Sequence, residues 1–100
     1  MEQRGKQLEV IARGVMIYND QILLCKVKGG KWYFLPGGHV EYGEPIEKTL
    51  TREMEEEVGL SDLNINSFIG SVENKFPVDD GIQHEINLIF EVTGLETDNV

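Results

Sequence analysis

Between positions 52 and 57 the sequence reads Arg-Glu-Met-Glu-Glu-Glu, a density of carboxylates that is either a solvated surface or a site for something positive. On a helix, at about 100° per residue, Glu53, Glu56 and Glu57 fall within an arc of roughly 100°, while Glu55 points away. Side chains three and four positions apart lie about 5–6 Å from each other at Cβ, so the three like charges repel. Ile46 and Leu50 share nearly the same azimuth as Glu53 and Glu57, which sets the acidic cluster at the edge of a core. Partly buried, unpaired carboxylates are costly, and a hard divalent cation with oxygen ligands is the usual remedy. The spacing therefore predicts a Mg²⁺ or Mn²⁺ site on Glu53, Glu56 and Glu57. The plainer alternative is a Glu-rich face that only meets water.

A helix must carry these residues, and its limits are written in the sequence. Glu44-Pro45 marks the start, with Pro45 at the first helical position and Glu47 near the positive end of the dipole; Gly59 marks the stop. Ile46, Leu50, Met54 and Val58 recur every four residues as one apolar stripe. Before the helix, residues 8–18 and 21–28 read as two strands around a tight turn at Asn19-Asp20, and residues 31–35 as a short aromatic strand ended by Pro36-Gly37-Gly38. After it, residues 63–72 and 85–92 read as strands joined by a polar loop over 73–84 that contains Pro77 and Asp79-Asp80-Gly81. The order is β-β-β-α-β-β, an α/β fold with a mixed sheet in one domain over residues 1–100. A sheet has two faces and only one clear helix is available, so the second layer is expected to be missing or supplied by another chain, as in a homodimer.

With 100 residues, 18 Asp and Glu against 9 Lys and Arg, and a net charge of −9, the chain excludes several classes of function. The negative field repels a phosphate backbone, and the scattered cations form no basic stripe, so no nucleic-acid polymer is expected as a partner. A phosphate-bearing small molecule would need a cation to mediate its binding. Cys25 is the single cysteine, which rules out an intrachain disulfide, and its apolar neighbours predict a buried hydrophobe. The N-terminus is polar and no run approaches the roughly 18 apolar residues of a membrane span, so a cytoplasmic protein without membrane contact is expected.

The carboxylates belong to a longer pattern: Gly38, five residues, Glu44, seven residues, Arg52-Glu53-Met54, one residue, Glu56-Glu57, one residue, then Gly59-Leu60. This resembles the signature of the Nudix hydrolase family (MutT-like) at every fixed position. Seven required identities at about 5–7% usage each, with two aliphatic positions, give a chance match of roughly 10⁻⁹ per starting residue. The stretch Leu35-Pro36-Gly37-Gly38 and the flanking strands are similar to the family as well, so the resemblance covers nearly the whole chain.

The resemblance implies a Mg²⁺-dependent pyrophosphohydrolase that cleaves a nucleoside diphosphate linked to another group, such as a (d)NTP, 8-oxo-dGTP or ADP-ribose. It implies Glu53, Glu56 and Glu57 as metal ligands, with Glu53 either a ligand or the base and Arg52 orienting the glutamates. It also implies that Glu44 braces the loop, that Gly37 and Gly38 provide a tight turn, and that the Gly37 carbonyl meets a cation. Trp32, Tyr33 and Phe34 offer a stacking face for a base or, as aromatics in a short strand more often do, a piece of core. His84 and Glu85 are expected at the cleft, with Glu85 or Glu96 in the part of the further acidic residue that many members carry. Typical members continue into another strand and a second helix, which the resemblance leaves absent here. A domain that binds or senses a nucleotide without cleaving it is the alternative.

Overall fold

The computed structural model describes residues 8–94. Its strands are β1 (Leu8–Val15), β2 (Ile17–Tyr18), β3 (Gln21–Ile22), β4 (Cys25–Lys26), β5 (Tyr33–Phe34), β6 (Gly37–His39), β7 (Leu63–Val78) and β8 (Gly81–Gly94), and its helix is α1 (Ile46–Val58). Four strands form a mixed sheet in the order β6-β1-β8-β7, with β1 parallel to β8 and antiparallel to β6. The remaining short strands pair as β2 with β3 and β4 with β5. This is the expected α/β architecture with a mixed sheet.

The apolar stripe explains where α1 sits. Leu50 and Met54 are fully buried against Ala12, Met16 and Val92, and Ile46 and Val58 pack at the margins of this cluster. The helix comes down close over Gly14, where a Cβ would meet Val92 Cγ2 at 3.0 Å and Met54 Sδ at 3.4 Å. Gly59 ends the helix in the left-handed conformation with its N–H on the Glu55 carbonyl at 3.0 Å, as a C-terminal glycine should. Pro45 stands one position earlier than expected, as the N-cap, and its carbonyl accepts the first helical bond from Thr49 at 3.0 Å.

Three expectations are corrected. The first strand stops at Val15 and resumes at Ile17, because Met16 turns into the core at 2% exposure while its carbonyl accepts from Leu23 N–H at 3.0 Å. The second strand breaks into β3, which pairs with β2 across the hairpin turn whose Asn19 and Asp20 have φ of 53° and 63°, and β4, which pairs instead with β5. The polar loop over 73–84 is instead strand, and β7 and β8 run on to a two-residue turn at Asp79-Asp80. Backbone pairing overrides composition there, with Glu73 opposite Ile86 and Lys75 opposite His84. Pro77 is tolerated because β7 is an edge strand.

Among the described residues α1 is the single helix, and it covers one face of the sheet. None of the described helices is long and apolar enough to cross a membrane.

Candidate metal and diphosphate site

Glu44, just ahead of α1, is the best-fastened acid in the structure. Its two oxygens accept from Arg52 Nε at 3.0 Å and Nη2 at 3.1 Å, and Oε1 also takes the Thr49 hydroxyl at 2.7 Å. The guanidinium first and the hydroxyl second hold its carboxyl down to about 2 from 4.5. Arg52 in turn is pushed above its ordinary value by Glu44 and stays charged. Such a bidentate fork fixes the guanidinium plane.

That plane aims the remaining donor at the next acids. Arg52 Nη1 donates to Glu53 Oε2 at 3.0 Å and stands 3.6 Å from Glu56 Oε1. Glu53 is tucked in, its side chain 18% exposed, whereas Glu56 stands 60% exposed one turn on. Gly38 on β6 leaves room for Glu53: a Cβ there would sit 2.5 and 2.6 Å from the two carboxylate oxygens. Glu57 lies one step further along the helix, and its Oε1 accepts the Gly37 N–H at 3.0 Å. Gly37 has φ of 149° and its missing Cβ would collide with the Ala12 carbonyl oxygen, so no other residue brings this amide so close to β1.

Arg52, Glu53, Glu56, Glu57, Glu44, Gly37 and Gly38 are thus brought to one place. Gly37 touches Glu57 through its N–H. The other candidates lie apart. Trp32 and Tyr33 project into solvent, Trp32 at 81% exposure, and Phe34 lies half-buried with Arg13 Cζ 5.8 Å from its ring centre. His84 is bonded to Glu73 at 2.6 Å, and Glu85 accepts from Gln83 at 3.4 Å. Glu85 is in register with Glu9 and Gly37 with Arg13, which separates them by about 13 Å along β1 at ~3.3 Å per residue. Glu96 lies outside the described residues.

Cys25 departs from the expected buried hydrophobe. It is half-buried with its Sγ 3.9 Å from Glu57 Oε1, and burial first and the Glu57 charge second raise its thiol above the ordinary value. Thr49 also escaped the sequence reading; its signal was a hydroxyl five residues after Glu44 on the helix face that Arg52 shares.

The donor chemistry fits a hard divalent cation. Two carboxylates meet the glycines of β6, Glu57 at the Gly37 amide and Glu53 in the space a Gly38 Cβ would take, and Glu56 lies one turn away on the same helix. As posed, each has other company, and among the described residues no three His, Cys, Asp or Glu stand close enough together to share one ion. The exposed Glu56 has the freedom to turn inward; Glu53 is held by Arg52 and Glu57 by the Gly37 amide.

Comparison with known proteins bears on the same residues. The chain is 34% identical over 84 residues to an ADP-ribose pyrophosphatase of Methanocaldococcus jannaschii, an alignment of 81% of this chain and 48% of that protein. It is 40% identical over 85 residues to the nucleoside triphosphatase NudI of Salmonella agona, covering 75% and 60% of the two chains. The chain thus spans about half to three-fifths of the length of these relatives. In fold it superposes on a MutT NUDIX hydrolase from Burkholderia pseudomallei with a TM-score of 0.69 at 23% identity, over 89% of this chain and 69% of the other. The family model described as NUDIX domain matches residues 8–100. A match of that extent, over the same helix and glycine-bearing strand that gather the carboxylates, makes this chain a member of the Nudix family.

Proposed function

We propose that this domain is a Mg²⁺-dependent pyrophosphohydrolase acting on a nucleoside diphosphate linked to another group, with (d)NTPs, 8-oxo-dGTP and ADP-ribose as the substrate classes. The observation that carries this reading is the graded holding of the motif acids: Glu44 and Arg52 locked together, Glu53 aimed by Arg52, Glu57 held by the Gly37 amide. The printed names of the relatives, one acting on ADP-ribose and one on nucleoside triphosphates, support the same class. Bound there, a divalent cation would neutralise diphosphate oxygens and lower the pKa of an attacking water.

Glu53, Glu56 and Glu57 would hold the cation, Mn²⁺ serving in place of Mg²⁺. Arg52 orients Glu53, and Glu44 keeps Arg52 from collapsing onto the acids it must aim. Gly37 fixes Glu57 while Gly38 leaves the opening beside Glu53. The single thiol accords with a cytoplasmic setting.

The test is incubation of the chain with Mg²⁺ and a panel of dNTPs, 8-oxo-dGTP, ADP-ribose, NADH and dinucleoside polyphosphates, with products separated by chromatography. Cleavage at a diphosphate bond, abolished by chelation, is the expected result. Tight binding of a nucleotide without any turnover overturns the enzymatic reading in favour of a sensor.

A further inference from the structure

Within β1, Arg13 stands in an apolar run, four residues after the strand's other charge, Glu9. Val10, Ile11 and Ala12 precede Arg13, and Gly14, Val15 and Met16 follow. A guanidinium in the second strand of a four-stranded sheet is expensive unless its donors are matched. They are matched by neutral groups: Nε donates to Asn87 Oδ1 at 3.1 Å and Nη1 to the Leu35 carbonyl at 2.9 Å, while the plane lies over Phe34. Among the described residues no carboxylate stands within ion-pair distance of it.

The Leu35 carbonyl is where the backbone ladder gives out. Gly38 and Gly37 pair with Ala12 and Arg13, and Gly14 N–H takes the Pro36 carbonyl at 2.9 Å. One residue earlier no ladder bond is available, and the side chain of Arg13 takes over. Residues 34 and 35 are thereby clamped just ahead of β6, whose Gly37 N–H holds Glu57. Asn87, 6% exposed, steadies the clamp from β8 and donates to the Val72 carbonyl on β7 at 3.4 Å.

We propose that Arg13 is a positioning residue for the metal-binding carboxylates: by fixing Leu35 it sets the Gly37 amide that holds Glu57. The planar fork is what serves, since two acceptors and a ring are met at once, and a lysine ammonium cannot do that. This rests on the reading of Glu57 as a cation ligand.

The charge and the fork predict opposite signs, which makes the idea testable. If Arg13 acted only through its charge, Arg13→Met would tighten cation binding and Arg13→Lys would leave it unchanged. If it positions, both variants weaken Mn²⁺ binding by about tenfold in calorimetry, as loss of a group that orients a ligand typically does. Asn87→Ala, which keeps the Leu35 bond, weakens it less. In the metal-free protein, the Gly37 amide should lose its downfield proton shift and its exchange protection in Arg13→Lys. That readout stands apart from the metal: failure of the wild type to bind Mn²⁺ counts against the proposed function, whereas an unchanged Gly37 amide, or tighter Mn²⁺ binding in Arg13→Met, overturns the role of Arg13. Should Arg13→Met not fold, Arg13→Lys and Asn87→Ala decide.

Discussion

The two halves of the acidic helix face are built to different standards. Toward the N-terminus, Glu44, Thr49, Arg52 and Glu53 are joined by bonds between 2.7 and 3.1 Å. Toward the C-terminus, Glu56 and Glu57 are exposed, and the one short bond is the backbone amide of Gly37. The first half spends its charges on one another; the second leaves negative charge facing outward. A site that must take up a cation and a diphosphate needs both: a frame that does not shift when charge arrives and ligands not yet neutralised.

Breaking the open half should cost function and spare the fold. Glu57→Gln keeps the shape and can still accept from Gly37 N–H, so thermal unfolding should change little. Turnover in Mg²⁺ should fall by on the order of a hundredfold or more, since a ligand counts for at least as much as the groups that orient it. Unchanged turnover in that variant would remove Glu57 from the machinery.

The closed half should respond to geometry more than to charge. Arg52→Lys keeps a cation and loses the fork that addresses both Glu44 oxygens. We expect turnover to fall by about tenfold, with a modest drop in melting temperature. Recovery of full activity in Arg52→Lys would show that Glu53 needs only a nearby positive charge.

Gly37 and Gly38 are adjacent and should part ways. At Gly37 an added Cβ meets backbone, the Ala12 carbonyl, at a positive φ, so Gly37→Ala should destabilise the domain by about 2 kcal/mol or more. At Gly38 the obstacle is the end of the flexible Glu53 side chain, so Gly38→Ala should fold normally and bind Mn²⁺ more weakly. Denaturant melts and calorimetry on the pair separate the two. Equal destabilisation by both would mean that Glu53 is as rigid as backbone.

The smallest effect is in acid. The Glu44 carboxyl sits at about 2 in the folded chain against 4.5 unperturbed, so its stabilising contribution is complete above 4.5 and is lost as pH falls toward 2. Glu44→Gln should therefore flatten the fall in melting temperature across that window. It should leave the pH dependence above 4.5 unaltered.

Much of the site was legible because helical geometry is local. Glu53, Glu56 and Glu57 share a face for the same reason that Ile46, Leu50 and Met54 do, and both stripes follow from 3.6 residues per turn. Pro45 and Gly59 bounded the helix to within one residue through their own backbone preferences. The hairpin was less legible. Composition marked residues 73–84 as loop, yet pairing along two long strands satisfies their backbone whatever their side chains. Arg13 and Asn87 drew no attention, although a basic residue inside an apolar run is a signal.

What the sequence alone determined is the inventory and its spacing: the acids, the arginine that serves them, the glycines and the stripe that buries the helix. All are set by residue type and by periodicities within one element. Tertiary packing settled which strand the helix meets and where the Gly37–Gly38 pair lies against it. Gly37 reaches Glu57 across 20 positions of sequence, and Arg13 reaches Leu35 across 22. Contacts of that span depend on the register of β6 on β1 and of β1 on β8. That register is fixed by the summed burial and hydrogen bonding of the sheet, which no local pattern encodes.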